Sequence, residues 1–184
     1  MVQAVFRVPD RSEGSWYNLQ EQDFIELLQK EEGKLLRIAW AMLGQESDAW
    51  DVLQEAVEQA WRHRRQLQGG PAAFPAWIRR IVVNRAIDHM RSRKRLILLE
   101  PAAMPEGDAA PPSPEVDVEA RALWEELKVL EPDQRQVIVL RYLADLSLQE
   151  IADQVGIPLG TVKSRLYRAL AHLRKTWDER RVAP

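Results

Sequence analysis

The chain has no cysteine among its 184 residues. That excludes a disulfide framework and any thiolate metal site, and it is consistent with a reducing compartment. Histidine is scarce. His63, His89 and His172 lie far apart in the sequence, and none has a second ligand type at metal spacing, which argues against a bound metal. Long apolar runs are missing as well. The longest clean ones, such as "LILL" at residues 96–99, fall far short of the ~18 residues that a membrane span needs. The opening "MVQAVFRVPDRSEG" puts Arg7 and Asp10 where a signal peptide requires its apolar core. These absences lead us to expect a soluble, cytoplasmic protein. No internal repeat is visible and nothing argues for a sheet.

What is present is helical periodicity. Hydrophobic residues make up 46% of the chain, enough for a real core. They recur at helical spacing as Leu27, Leu28, Leu35, Ile38, Ala39 and Met42, then as Leu123, Leu127 and Leu130, then as Val137, Leu140, Tyr142 and Leu143. The predicted fold class is all-α. Composition divides the chain further. Residues 1–18 read as an N-terminal tail, and residues 19–95 as a tryptophan-rich helical domain in which either Asp23 and Glu26 form a capping pair or the helix begins earlier. Residues 96–117 carry prolines at 101, 105, 111, 112 and 114 with several acids, and no base lies in "LEPAAMPEGDAAPPSPEVD". Each proline removes a donor and clashes with the preceding turn, so this stretch reads as a flexible, acidic linker. Residues 118–178 form a second helical domain, with residues 179–184 as a C-terminal tail.

Charge is nearly balanced overall, 26 basic against 28 acidic side chains, but it is not evenly spread. "IPLGTVKSRLYRALAHLRK" holds Lys163, Arg165, Arg168, Arg174 and Lys175 and no acid. Just before it, Ser147 can cap a short helix with an inner face of Leu148, Ile151, Ala152 and Val155. Gly156 is a natural stop, able to turn left-handed. Pro158 suits the start of a second helix, which should turn Val162, Leu166 and Leu170 inward. The pattern is a helix-turn-helix whose outer and flanking faces carry Thr161, Lys163, Ser164, Arg165, Tyr167 and Arg168. A solvated charged face could look similar. The turn signature combined with a face of one sign argues for DNA, with lysine and arginine reading guanine edges or gripping phosphates and Thr161 bonding a phosphate near the helix start.

Two further stretches matter. "FPAWIRRIVVNRAIDHMRSRKR" sets Arg79, Arg80, Arg85, Arg91, Arg93, Lys94 and Arg95 against one acid, Asp88, with apolar residues interleaved at helical spacing. Such bases could track a phosphate backbone, and Asn84 is suited to hydrogen bonding with base edges; composition alone allows an ordinary surface helix equally well. "GQESDAWDVLQEAVEQAW" is opposite in sign, with Glu46, Asp48, Asp51, Glu55 and Glu58 and no base. Beside a basic segment it hints at a basic protein partner.

Taken in this order, "DAWDVLQEAVEQAWRH", "FPAWIRRIVVNRAIDHMRSRKR" and "LEPDQRQVIVLRYLADLSLQEIADQVGIPLGTVKSRLYRALAHLR" resemble the extracytoplasmic-function sigma factors, the small two-domain group of bacterial sigma factors, over residues 20–175. The resemblance implies an initiation subunit without a catalytic site or cofactor of its own. It would bind core RNA polymerase and direct promoter-specific transcription, recognising two promoter elements and assisting melting. By position, Asp51, Gln54 and Glu55 would contact core polymerase. Asn84 and the loop at residues 67–73 would hold flipped nontemplate bases of the start-proximal element, with Arg80, Arg85 and Arg91 steadying phosphates. Lys163, Ser164, Tyr167 and Arg168 would face the bases of the upstream element, with Thr161 and Arg165 nearer the backbone. The acidic linker would correspond to the segment that threads the RNA exit path, and the family allows an anti-sigma factor as a further partner. Trp50 departs from the pattern, standing where the family usually has an acid, and the loop "QLQGGPAAFP" lacks its usual charge. The main alternative is an autonomous dimeric helix-turn-helix regulator that binds a palindrome without polymerase.

Overall fold

The structure, a computed structural model, describes residues 19–99 and 118–182. Among these residues it is all helical: α1 (Glu21–Leu43), α2 (Glu46–His63), α3 (Phe74–Leu99), α4 (Val118–Leu127), α5 (Pro132–Tyr142), α6 (Leu148–Val155) and α7 (Leu159–Val182), with 3-10 turns at Arg64–Gln66 and Gly70–Ala73. The proline-rich part of the expected linker and the N-terminal tail lie outside the described residues. At two boundaries the helices run further than composition suggested. α3 continues to Leu99 and α7 to Val182, because neither stretch contains the proline or glycine that would stop it.

The first helical unit is α1–α3. α1 starts from Gln20 rather than from an Asp23–Glu26 capping pair, and no side chain caps it. It buries Leu35, Ile38, Ala39 and Met42 of the expected stripe, together with Phe24, which the stripe did not include, while Leu27 and Leu28 are only half-buried at the edge of the core; it stops at Gly44, which is left-handed and donates its N–H to Trp40 O at 2.8 Å. α2 turns Ala49, Val52, Leu53, Ala56 and Ala60 inward. Three alanines on one face let α1 and α3 come close. α3 answers with Phe74, Ile78, Ile81, Val82 and Ala86. Edge-on ring contacts close one end of the unit, Phe24 to Trp61 at 5.2 Å and Phe24 to Phe74 at 5.5 Å between centroids.

α4–α7 form the second unit around α5, which buries Val137, Ile138, Val139 and Leu140 in succession. A helix apolar on every side must be covered on every side. α6 and α7 cover part of α5, and α1 of the first unit covers another part. The two units therefore share one hydrophobic cluster. Its joint is Trp124 of α4. Its ring lies 5.0 Å from that of Trp40 and beneath the Arg135 guanidinium, whose carbon is 4.8 Å from the Trp124 centroid. Burial lowers the Arg135 pKa from its ordinary value. At the far end of α7, Trp177 and Arg180 both donate to the Glu126 carboxylate, pinning the last helical turns to α4.

Candidate nucleic-acid interface

The helix-turn-helix is built as its residues require. The Ser147 hydroxyl accepts from the Glu150 N–H at 3.2 Å, and the Glu150 carboxylate accepts from the Ser147 N–H at 2.9 Å. That reciprocal box fixes the start of α6. The Ser147 backbone N–H first, and then its hydroxyl, hold the Glu150 carboxyl below the usual carboxylate range; the nearby Arg80 adds to this. Ile151 and Ala152 are buried, and Gly156 ends the helix with φ +74°. Pro158 then offers its carbonyl to the N–H groups of Thr161 and Val162, at 2.8 and 3.1 Å, so α7 starts from it.

On α7 the inward face is Val162, Ala169 and Leu173. Leu166 packs beside them, while Leu170, expected inside, is 42% exposed. A strict spacing of four advances 40° per step beyond a full turn, so a third member walks off the face; spacings of seven and four return to it. Of the six residues expected on the outer and flanking faces, three are exposed. Lys163, Tyr167 and Arg168 are exposed, Tyr167 by 76%. Thr161 and Ser164 are half-buried, and the Ser164 hydroxyl donates to Thr161 O at 2.9 Å. Arg165 is engaged within the unit, with Nη2 at 2.5 Å from Asp133 Oδ2 on α5. It ties the second helix to its neighbour, leaving Lys163, Tyr167 and Arg168 as the open part of the row.

α3 carries the second basic surface. Arg80 is exposed and faces Glu150 Oε1 at 3.4 Å. Asn84 is half-buried. Arg85 Nε donates to Gln59 Oε1 at 2.8 Å, holding α3 to α2. Arg91 reaches Asp88 at 3.4 Å and two carbonyls of α6. Arg79, also in the basic cluster, donates to Ala144 O at 3.2 Å. Partners more than 60 residues away are invisible to periodicity, which is why sequence reasoning did not supply them.

On α2, Asp51, Gln54 and Glu55 lie together on an exposed face, and Trp50 at its edge is 43% exposed. The other acids are tied up more. Asp48 lies 3.6 Å from Arg93 and 3.9 Å from His89, both on α3, and Glu58 pairs with Arg62 at 3.0 Å. Among the described residues, no group of three or more His, Asp or Glu is placed to hold a metal, and no helix is long and apolar enough to cross a membrane.

Two family models match the stretches that carry these residues. The family described as Sigma-70 region 2 matches residues 27–96, and Sigma-70, region 4 matches residues 120–173. The chain is 34% identical over 153 residues to the RNA polymerase sigma-E factor of Streptomyces coelicolor, spanning 83% of this chain and 85% of that one. It is 30% identical over 138 residues to the RNA polymerase sigma factor SigV of Bacillus subtilis, spanning 75% and 81%. In fold it resembles the sigma factor RpoE of Bartonella quintana, solved in complex with the anti-sigma factor NepR. The TM-score is 0.63 at 25% identity, covering 85% of this chain and 98% of that one. A match over α1–α3 as well as over the helix-turn-helix does not favour an autonomous dimeric regulator. The chain belongs to the extracytoplasmic-function sigma factors, which bind RNA polymerase and direct it to start transcription at particular promoters.

Proposed function

We propose that three surfaces divide the work of this sigma factor. Asp51, Gln54 and Glu55 on α2 dock on a basic surface of core polymerase. Lys163, Ser164, Tyr167 and Arg168 on α7 read the upstream element in the major groove, with Thr161 and Arg165 toward the backbone. Asn84 and residues 67–73 receive unstacked nontemplate bases of the start-proximal element, and Arg80, Arg85 and Arg91 steady its phosphates. Capture of flipped bases offsets the stacking and pairing lost on melting. Polymerase holds both reading surfaces on one promoter, so each raises the effective concentration of the other. None of these steps makes or breaks a covalent bond in the chain, so it needs no catalytic site. The protein works in the cytoplasm, where polymerase is, and an anti-sigma factor is a further partner, as for the B. quintana sigma factor.

The observation that supports this division best is the exposed run Lys163, Tyr167 and Arg168 on α7, presented by a helix-turn-helix with both of its caps in place. Run-off transcription with purified bacterial core polymerase tests it. Wild-type protein should yield promoter-specific transcripts. Lys163→Ala with Arg168→Ala should lower them at least tenfold while polymerase binding persists, and Asp51→Ala with Glu55→Ala should weaken the binding itself. Full activity of both double variants would overturn the assignment.

A further inference from the structure

Six tryptophans lie among the described residues, and five of them are engaged within the fold. Trp40 and Trp124 pack together at the joint, Trp61 meets Phe24, Trp77 lies 5.9 Å from Phe74 between ring centroids, and Trp177 donates to Glu126. Trp50 is the exception. Its ring stands outward on α2 and has no aromatic or cationic partner among the described residues. An isolated exposed apolar side chain is ordinary. The setting of Trp50 is not. Trp50 and Asp51 sit side by side around the helix, with Ser47 one turn before both and Gln54 one turn after both. Glu55 and Glu58 continue the exposed strip. The bases that follow in sequence are taken: Arg62 pairs with Glu58 at 3.0 Å, and the Arg64 guanidinium lies 3.8 Å from the Trp61 centroid. An indole face therefore lies open beside carboxylates that those bases do not neutralise.

We propose that Trp50 anchors the polymerase-docking face of α2 by taking an arginine of core polymerase over its ring. The proposal rests on the assignment of Asp51, Gln54 and Glu55 to core polymerase. Indole is the best of the aromatic faces for a cation. A guanidinium is flat, weakly hydrated and forked, so it can lie on the ring and still donate to the Asp51 carboxylate beside it. The compact ammonium of lysine suits that double contact less. The same chemistry occurs inside the chain. Arg64 covers Trp61 while its Nη1 donates to Trp61 O at 2.8 Å, and the Arg135 guanidinium carbon lies 4.8 Å from the Trp124 centroid. Aromatic anchors ringed by polar side chains carry much of the binding energy of an interface. The effect is specific to this chain, because the family usually has an acid at this position. An acid attracts a basic surface through charge alone, which salt screens; a ring in contact with a guanidinium is screened less.

The test is binding of the full chain to immobilised core polymerase by biolayer interferometry over a range of salt. Trp50→Ala should weaken binding about tenfold near physiological salt, the loss on truncating an aromatic anchor. Trp50→Phe keeps a flat ring that is a poorer seat for a cation and should lose about two- to threefold. Trp50→Glu restores an acid, so its binding should fall more steeply with salt than that of the wild type. Tetrafluorotryptophan placed at position 50 keeps the shape of the ring but drains its face of negative charge, and it should weaken binding several-fold. Wild-type affinity in Trp50→Ala, or a fluorinated ring that binds as tightly as indole, overturns the proposal. So does a dimer of the free chain that depends on Trp50 in sedimentation, which would make a second copy the occupant. Trp50→Ala should melt close to the wild type; a large drop in Tm would assign the ring to the fold instead. Asp51→Ala with Glu55→Ala separates the two readings. If that pair binds normally, the docking assignment itself fails. If the pair weakens binding and Trp50→Ala does not, the assignment stands and the role of Trp50 alone falls.

Discussion

Two glycines of the first unit show how one missing methyl group can act in opposite directions. Gly44 ends α1 with φ +79°, and a Cβ there would lie 2.8 Å from Trp124 Cη2. Gly44→Ala meets both a left-handed backbone and a ring that is itself buried, so it should destabilise the chain by about 2–4 kcal/mol. Gly33 lies exposed inside α1 with nothing within 4 Å of its would-be Cβ. Gly33→Ala should stabilise by about 0.5–1 kcal/mol, since it only restricts the unfolded chain and improves helix propensity. Urea midpoints at unchanged slope check both. Equal midpoints for Gly44→Ala and wild type would mean that Trp124 is not seated there. In the sequence Gly44 reads only as a break between helices. Its closer role depends on a tryptophan of the other unit, which no local pattern reveals. Gly156, by contrast, was readable as a left-handed stop because its neighbours supply the whole signal.

Among the elements, α6 was the most legible. A serine, a glutamate three residues later, an apolar face and a terminal glycine state its start, length and end, and all appear in the structure. The box also gives α6 a dependence on pH. Glu150 titrates below its ordinary value in the folded chain, so its contribution is fully present above the ordinary carboxylate range and is lost as pH falls through the depressed value. Ser147→Ala removes the hydroxyl half of the box and should cost about 1 kcal/mol, or roughly 2–4 °C in Tm. Thermal melts of wild type and Glu150→Gln should differ at neutral pH and converge on acidification, because the variant has no charge to lose. A gap that widened in acid would contradict the assigned box. α7 was less legible. Its charged face was readable from composition, but the exact inward set was not, since Ala169 carries no strong apolar signal and Leu170 does.

The whole molecule depends on contacts that sequence cannot rank. Most of each unit's stripe was visible, with Tyr142 an exposed exception, but stripes do not say that α5 would need α1 as one of its covers, or that Arg79, Arg80 and Arg91 would find partners in the second unit. The charges of α3 looked alike in sequence; geometry separates Arg85, which binds Gln59 within its own unit, from Arg91, which crosses to α6. The apolar joint holding this arrangement is Trp124 on Trp40, 3% and 2% exposed. A shared core of this kind should make the described helices unfold together, because exposing the joint costs both units at once. Wild type should therefore give one calorimetric transition whose van't Hoff and calorimetric enthalpies agree. Trp124→Ala removes the joint, and burial of this kind is worth about 3–5 kcal/mol. With it gone, α5 loses its seal against α1, and the second unit should melt first in a separate transition, leaving α1–α3 to melt near the wild-type temperature. Two transitions in the wild type would show that the units are already independent. A single, merely lowered transition in the variant would show that the remaining contacts of α5 with α1, rather than the tryptophan pair, carry the coupling.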